Sequence, residues 1–156
     1  MRYYLADRIE QIKYGNHIIG VKAISLADDT FNEHFPGFPV FPGSLILEGA
    51  AQLAGSLFEL TIAHRHLPQK RCVLSIVNRF KFRRPAYPGD RLVYNITIKT
   101  MQEGHGVVDA TATIDGEQCA EGTLTFIFLD IKNEKLHRAR MELYELWLRE
   151  AREIGE

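Results

Sequence analysis

A histidine and a glutamate frame the stretch of this sequence best equipped for chemistry. His34 opens the run His-Phe-Pro-Gly-Phe-Pro-Val-Phe-Pro-Gly-Ser-Leu-Ile-Leu-Glu, and Glu48 closes it. Pro36, Pro39 and Pro42 fix φ along the run, while Gly37 and Gly43 permit close backbone approach. Folding such a loop requires neither an imidazole nor a carboxylate. An ionisable group at each end of a stiff loop that feeds an apolar helix points to acid/base chemistry in a dry pocket.

The helix must position the carboxylate. Residues 44–66 read as one long helix, apolar on almost every face and therefore expected to be buried. Its early polar residues, Ser44, Glu48, Gln52 and Ser56, recur every four positions and share one face. An unsatisfied buried polar group costs about 1–3 kcal/mol, so this file must face partners or a cavity. The alternative is that Glu48 pairs with a buried arginine and only fixes packing.

Strands surround the helix in sequence. Residues 9–14 and 18–26 read as two strands joined across Gly15-Asn16. Residues 71–84 form a long strand in which Arg79, Lys81 and Arg83 alternate with Phe80 and Phe82, one wet face and one dry. After a turn at 85–90 come strands at 91–101, 107–114 and 118–129, with Asp115-Gly116 as a strong hairpin signal. Residues 132–154 read as an amphipathic helix with the stripe Leu136, Ala139, Leu143, Trp147, Ala151 and Ile154. The stripe is expected to pack on the sheet or a neighbouring subunit, or to dock on its own subunit's core. Hairpin connections imply an antiparallel sheet, and a sheet curled round one apolar helix is an α+β layer architecture.

Composition narrows the function classes. A chain of 156 residues with net charge −1 fits one domain and has no global field that favours nucleic acid. No uninterrupted apolar run reaches the ~18 residues of a membrane span, and no signal-peptide pattern opens the chain. Cys72 and Cys119 are too isolated for a zinc site or a disulfide framework, and buried free thiols fit a reducing cytoplasm. His64 and His66 lie two apart on a helix and do not face a common metal; His17, His105 and His137 read as turn or surface residues. No phosphate loop, nucleophile elbow or zinc pattern is present, so no cofactor or metal is expected.

His34-Phe35-Pro36-Gly37, Pro39, Phe41-Pro42-Gly43, Leu45, Glu48 and Ala51-Gln52 closely resemble the signature of the β-hydroxyacyl-acyl-carrier-protein dehydratases of type II fatty acid synthesis, which have the hot-dog fold. A second block, Phe80-Lys81-Phe82-Arg83-Arg84-Pro85 with Pro88-Gly89-Asp90, resembles that family's segment after the central helix. The resemblance runs from about residue 5 to 129. It implies a six-stranded antiparallel sheet wrapped round a central buried helix over residues 1–130, with 131–156 a C-terminal helical extension. It implies a homodimer or a trimer of dimers, its sheets joined edge to edge, with His34 of one subunit facing Glu48 of the other. Phe38, Ser44 and Gly49 depart from the commoner residues of the family, the N-terminal extension is short, and the last helix runs past the usual C-terminus.

The activity so implied is dehydration of (3R)-3-hydroxyacyl thioesters on acyl carrier protein to trans-2-enoyl thioesters, in fatty acid or related lipid or polyketide synthesis. It needs a base for the proton beside the thioester carbonyl, an acid for the leaving hydroxyl, and a donor for the carbonyl oxygen. His34 and Glu48 suit the first two roles, and an apolar surround that raises a carboxyl pKa would suit the acid. Gly43, at the helix start, offers an N–H for the third. Gln52 stands one turn on from Glu48, placed to hold the carboxylate. Phe38, Phe41, Phe80, Phe82 and Leu57 are candidate walls of an acyl tunnel, or simple core. Lys81, Arg83, Arg84 and Arg91 are candidate contacts for a phosphopantetheine-bearing acidic carrier, or a solvated strand face. Two other readings stay open. Asp29 and His34 also fit the pair of an (R)-specific enoyl-thioester hydratase, and the chain could be an idle subunit that binds a carrier or a partner enzyme.

Overall fold

The computed structural model describes residues 3–156. Strands β1 (Arg8–Lys13) and β2 (His17–Ala23) precede a 3-10 turn (Asp29–Asn32) and the long helix α1 (Gly43–His64). Strands β3 (Arg71–Phe82), β4 (Arg91–Met101), β5 (His105–Ile114) and β6 (Glu117–Leu129) follow, then helix α2 (Glu134–Leu148) and a short β7 (Arg152–Ile154). One sheet holds all the strands in the order β3-β6-β5-β4-β2-β1-β7. Every pairing is antiparallel except that of β7 with β1.

The sheet therefore has seven strands where six were expected. The extra one comes from residues expected to be helical. α2 ends at Leu148, and the chain then lays Arg152, Glu153 and Ile154 beside Gln11, Ile12 and Lys13 on the free edge of β1. The Tyr14 N–H donates to the Ile154 carbonyl at 3.1 Å, Tyr14 Oη bonds Glu153, and Arg65 pairs with Glu156. An open sheet edge, with the ion pair and side-chain bond that pin the tail there, overrides the local helical pattern.

α1 is the core. From Gly49 to Ile62 every residue except Gln52 is buried. Despite its polar interruptions, α1 is long and apolar enough to cross a membrane, but 78% of its apolar window lies inside the fold. The long axis of the core is thus a helix wrapped by protein.

β3 is the other edge of the sheet, paired only with β6. Bulges between Leu74 and Ile76 and between Asn78 and Lys81 break its alternation. Val73, Ile76, Val77 and Phe82 are 39%, 55%, 44% and 49% exposed. The expected dry face is therefore left partly uncovered by this chain alone. α2 docks on its own subunit: Tyr144 Oη donates to Glu59 at 2.9 Å and Trp147 Nε1 to the Ala6 carbonyl at 3.1 Å.

Candidate active site

The Pro/Gly loop grips His34 by its backbone and its ring. The His34 N–H donates to the Thr30 carbonyl at 3.1 Å, and Val40 N–H to the His34 carbonyl at 3.0 Å. Between them Phe35 and Phe38 exchange two backbone hydrogen bonds across Pro36-Gly37, where Gly37 has φ +76°. That φ is the left-handed value a type II turn requires after proline. The His34–Phe35 peptide is cis. Phe41 N–H donates to the Ala86 carbonyl at 2.8 Å, and the Phe38 ring meets Tyr87 edge-on at 6.4 Å. Both conserve the loop's shape by tying it to the turn at 85–90.

The ring's protonation pattern follows from this. His34 Nδ1 lies 2.9 Å from the Val40 carbonyl oxygen. A carbonyl can only accept, so Nδ1 carries the hydrogen and Nε2 of the neutral ring keeps its lone pair. His34 stands on an open groove of about 710 Å³, together with Asp29, Glu33 and Ser44.

Glu48 is held from the next turn of α1. Gln52 Nε2 donates to Glu48 Oε1 at 3.1 Å and to the Tyr3 carbonyl at 2.9 Å. Gln52 Oε1 accepts the Leu5 N–H at 2.9 Å. A backbone N–H can only donate, so it sets which end of the amide faces Glu48. The Tyr3 phenol pKa is raised, first by burial and then by the charge of Glu48. Glu48 opens on a cavity of about 350 Å³ whose far wall is α2, through Leu136, Arg140, Leu143 and Trp147. His34 and Glu48 thus line separate cavities of one chain.

The other expected residues are distributed unevenly. Gly43 begins α1, where the first turn leaves amides without an intrahelical acceptor, and a Cβ there would lie 3.0 Å from the Phe82 ring. Phe38 is 61% exposed, whereas Phe41 is 3% exposed and packs against Phe31 in the core; Leu57 is fully buried. Arg83 pairs with Glu121, Arg84 with Glu117 at 2.9 Å, and Arg91 with Glu10. Lys81 is exposed and has no ion-pair partner among the described residues. Ser44 is exposed and Ser56 is buried, its hydroxyl donating to the Leu53 carbonyl at 2.7 Å.

One buried cluster escaped the sequence reading. Glu59 accepts from Arg71 Nη1 at 2.7 Å, from the Cys72 N–H at 3.0 Å and from Tyr144 Oη. The buried arginine partner weighed for Glu48 thus belongs to Glu59, which falls off the four-residue file. A lone carboxylate among apolar helix residues was the available signal. Cys72 and Cys119 are buried free thiols with pKa values pushed up by burial. No cluster of three metal-binding side chains occurs among the described residues.

Comparison with known proteins adds a family and a fold. A FabA-like domain matches residues 2–123. The 3-hydroxyacyl-[acyl-carrier-protein] dehydratase FabZ of Campylobacter curvus is 34% identical over 131 residues, 82% of this chain and 88% of that one. FabZ of Sulfurimonas denitrificans is 36% identical over 131 residues with the same shares. Among solved structures, a chain of the dehydratase heterocomplex ApeI:P from Xenorhabdus doucetiae superposes with TM-score 0.67 at 16% identity, covering 88% of this chain and 89% of that one. A hot-dog-like protein from Thermanaerovibrio acidaminovorans gives TM-score 0.61 at 19% identity, covering 84% and 92%. The fold is the hot-dog fold. α2 and β7 lie beyond the matched domain.

Proposed function

We infer what this chain does from its family: it belongs to the FabA-like family of hot-dog 3-hydroxyacyl-acyl-carrier-protein dehydratases. It removes water from a 3-hydroxyacyl thioester carried on acyl carrier protein, in fatty acid synthesis or a related lipid or polyketide route. The observation that carries the reading is the pair of preset groups. His34 presents a bare Nε2 because Nδ1 is committed to Val40, and Glu48 is aimed by Gln52.

In the proposed reaction His34 Nε2 takes a proton from C2 of the substrate. The electron pair of that C–H bond becomes the C2–C3 double bond. The C3–O bond breaks, and Glu48 supplies the proton with which hydroxide leaves as water. The Gly43 N–H, at the positive end of α1, supports charge on the thioester oxygen. His34 then returns its proton to Glu48 through water, and the site is reset.

The two groups line separate cavities, so a second subunit is proposed to bring them together. The bare, apolar edge of β3 supports that reading, because an exposed hydrophobic edge strand is a template for another strand. Docked edge to edge, two copies would form two sites. Phe38 and Phe82 flank the acyl path, Gly43 and Phe82 being in contact range. Lys81 is the cation proposed to meet the carrier: it is exposed and, unlike the other three, makes no close ion pair. It stands opposite Glu121 on β6, whose carboxyl pKa is held low first by the Arg83 hydrogen bond and also by the charge of Lys81. The chain is proposed to act as a soluble cytoplasmic enzyme.

The test is incubation of the pure protein with 3-hydroxyacyl-carrier thioesters of several lengths, reading the enoyl product. Turnover of carrier-bound substrate supports the dehydratase. Asp29 shares the His34 groove, which favours the hydratase as second reading. A strong preference for hydrating enoyl-coenzyme A, lost in Asp29→Asn, would select it. Carrier binding without turnover would select the idle subunit.

A further inference from the structure

The Leu5–Ala6 dipeptide is wedged between the two helices, 3% and 2% exposed. On one side it meets α1. The Leu5 N–H donates to Gln52, and the Leu5 carbonyl sits where a Cβ on Gly49 would come within 2.8 Å of it. On the other side it meets α2, whose Trp147 Nε1 donates to the Ala6 carbonyl at 3.1 Å. Trp147 is itself 2% exposed and packs 6.1 Å from the Tyr144 ring. Three hydrogen bonds therefore run in series from α2 to the carboxylate: Trp147 to Ala6, Leu5 to Gln52, and Gln52 to Glu48.

We propose that Trp147 is a positioning residue for Glu48, acting through the Leu5–Ala6 dipeptide and Gln52, so that the C-terminal helix is part of the active-site scaffold. The proposal rests on the reading of Glu48 as the acid. Its physical reason is the cavity. Glu48 faces about 350 Å³ of open space rather than packed side chains, so its aim depends on Gln52. Gln52 in turn holds its amide the right way round because the Leu5 N–H opposes Oε1 and the Tyr3 carbonyl accepts from Nε2. Trp147 ties the dipeptide from the α2 side, through the Ala6 carbonyl. Gly49 has no Cβ, and that lets the Leu5 carbonyl lie against α1.

The experiment uses the full chain and a hydroxyacyl-pantetheine substrate. Trp147→Phe keeps an aromatic ring and removes the N–H. It should lower kcat about threefold to tenfold, the scale of one hydrogen bond, with KM unchanged. Tyr144→Phe is the control: it loses a buried hydrogen bond from the same helix to Glu59, and should lower the melting temperature without lowering kcat. In a Gln52→Leu background, where the relay is already cut, Trp147→Phe should cost no further kcat. Should Trp147→Phe not fold, Gly49→Ala displaces the same dipeptide from the α1 side and should show the same dependence on Gln52. An unchanged kcat, an effect that persists without Gln52, or an equal kcat loss in Tyr144→Phe overturns the proposal. Glu48→Gln is read separately: full activity there removes the acid assignment itself, whatever Trp147 does.

Discussion

His34 and Val40 are bonded twice across the Pro/Gly loop, once by backbone at 3.0 Å and once from the imidazole Nδ1 to the carbonyl at 2.9 Å. The loop thereby sets both where the ring stands and which nitrogen is basic. Pro39, next to Val40, lacks an N–H and keeps φ fixed, which stiffens the chain leading to the acceptor.

From that pair follows the first expectation. A positioned acid or base is worth ~10²–10⁴-fold in rate. His34→Ala and Glu48→Gln should each lose at least about a hundredfold in kcat while circular dichroism shows a folded protein. Glu48→Gln keeps the shape and removes only the ionisable proton. Near-native turnover in both would end the assignment.

The second expectation concerns assembly. Mixed His34→Ala and Glu48→Ala chains, refolded together, should recover activity that neither parent has, because one of the two sites in the heterodimer keeps both groups. Ile76→Glu, at a position 55% exposed on the free edge of β3, should shift sizing profiles toward monomer and abolish turnover. An active monomer would contradict a shared site.

Much of this geometry was legible in the chain. The Pro/Gly run and the largely apolar surface of α1 are local signals, and hairpin pairs such as Asp115-Gly116 set neighbouring strands directly. What escaped was non-local. β7 is three residues long and has no periodicity of its own; it exists because β1 offers a bare edge. The bulges in β3 are announced by no alternation in the sequence, and Phe82 lies exposed on an edge strand that this chain alone leaves uncovered. Glu59 and Arg71 lie twelve positions apart, and only the packing of β3 on α1 makes them partners. Gln52 was readable as Glu48's holder from helical spacing, but its own anchors, Tyr3 and Leu5, come from the far end of the chain.

The third expectation separates the cations. Lys81→Glu should raise KM for carrier-bound substrate much more than for a pantetheine mimic, and added salt should narrow the difference because exposed charges are screened over ~8–10 Å. Arg84→Glu sets a charge opposite its present partner Glu117 and should act mainly on stability. Equal effects of Lys81→Glu on both substrates would make Lys81 structural.

The fourth concerns Gly49 and Tyr94. A Cβ at Gly49 would fall 2.5 Å from Tyr94 Oη, which is buried without a hydrogen-bond partner among the described residues. Gly49→Ala should therefore destabilise by about 1–3 kcal/mol, the usual cost of overpacking. Tyr94→Phe removes a hydroxyl that satisfies nothing, so it should be neutral or stabilising, and it should also shrink the cost of Gly49→Ala. Denaturant midpoints of the four proteins check the coupling. Additive costs would mean that the clash is taken up elsewhere.

The last concerns the buried pair. The Arg71 and Glu59 side chains are 5% and 4% exposed, and Arg71 Nε and Nη2 have no partner among the described residues. The pair is thus desolvated but incompletely compensated. Arg71→Met leaves Glu59 buried without its cation and should cost about 3–5 kcal/mol. Glu59→Gln added to Arg71→Met removes the charge and keeps an amide oxygen for Tyr144 Oη and the Cys72 N–H. The double variant should then regain most of the loss in urea denaturation, since a neutral replacement of a buried pair is often no less stable than the pair. If the double variant is as unstable as Arg71→Met alone, the cost lies in packing around residue 71 rather than in the unpaired charge.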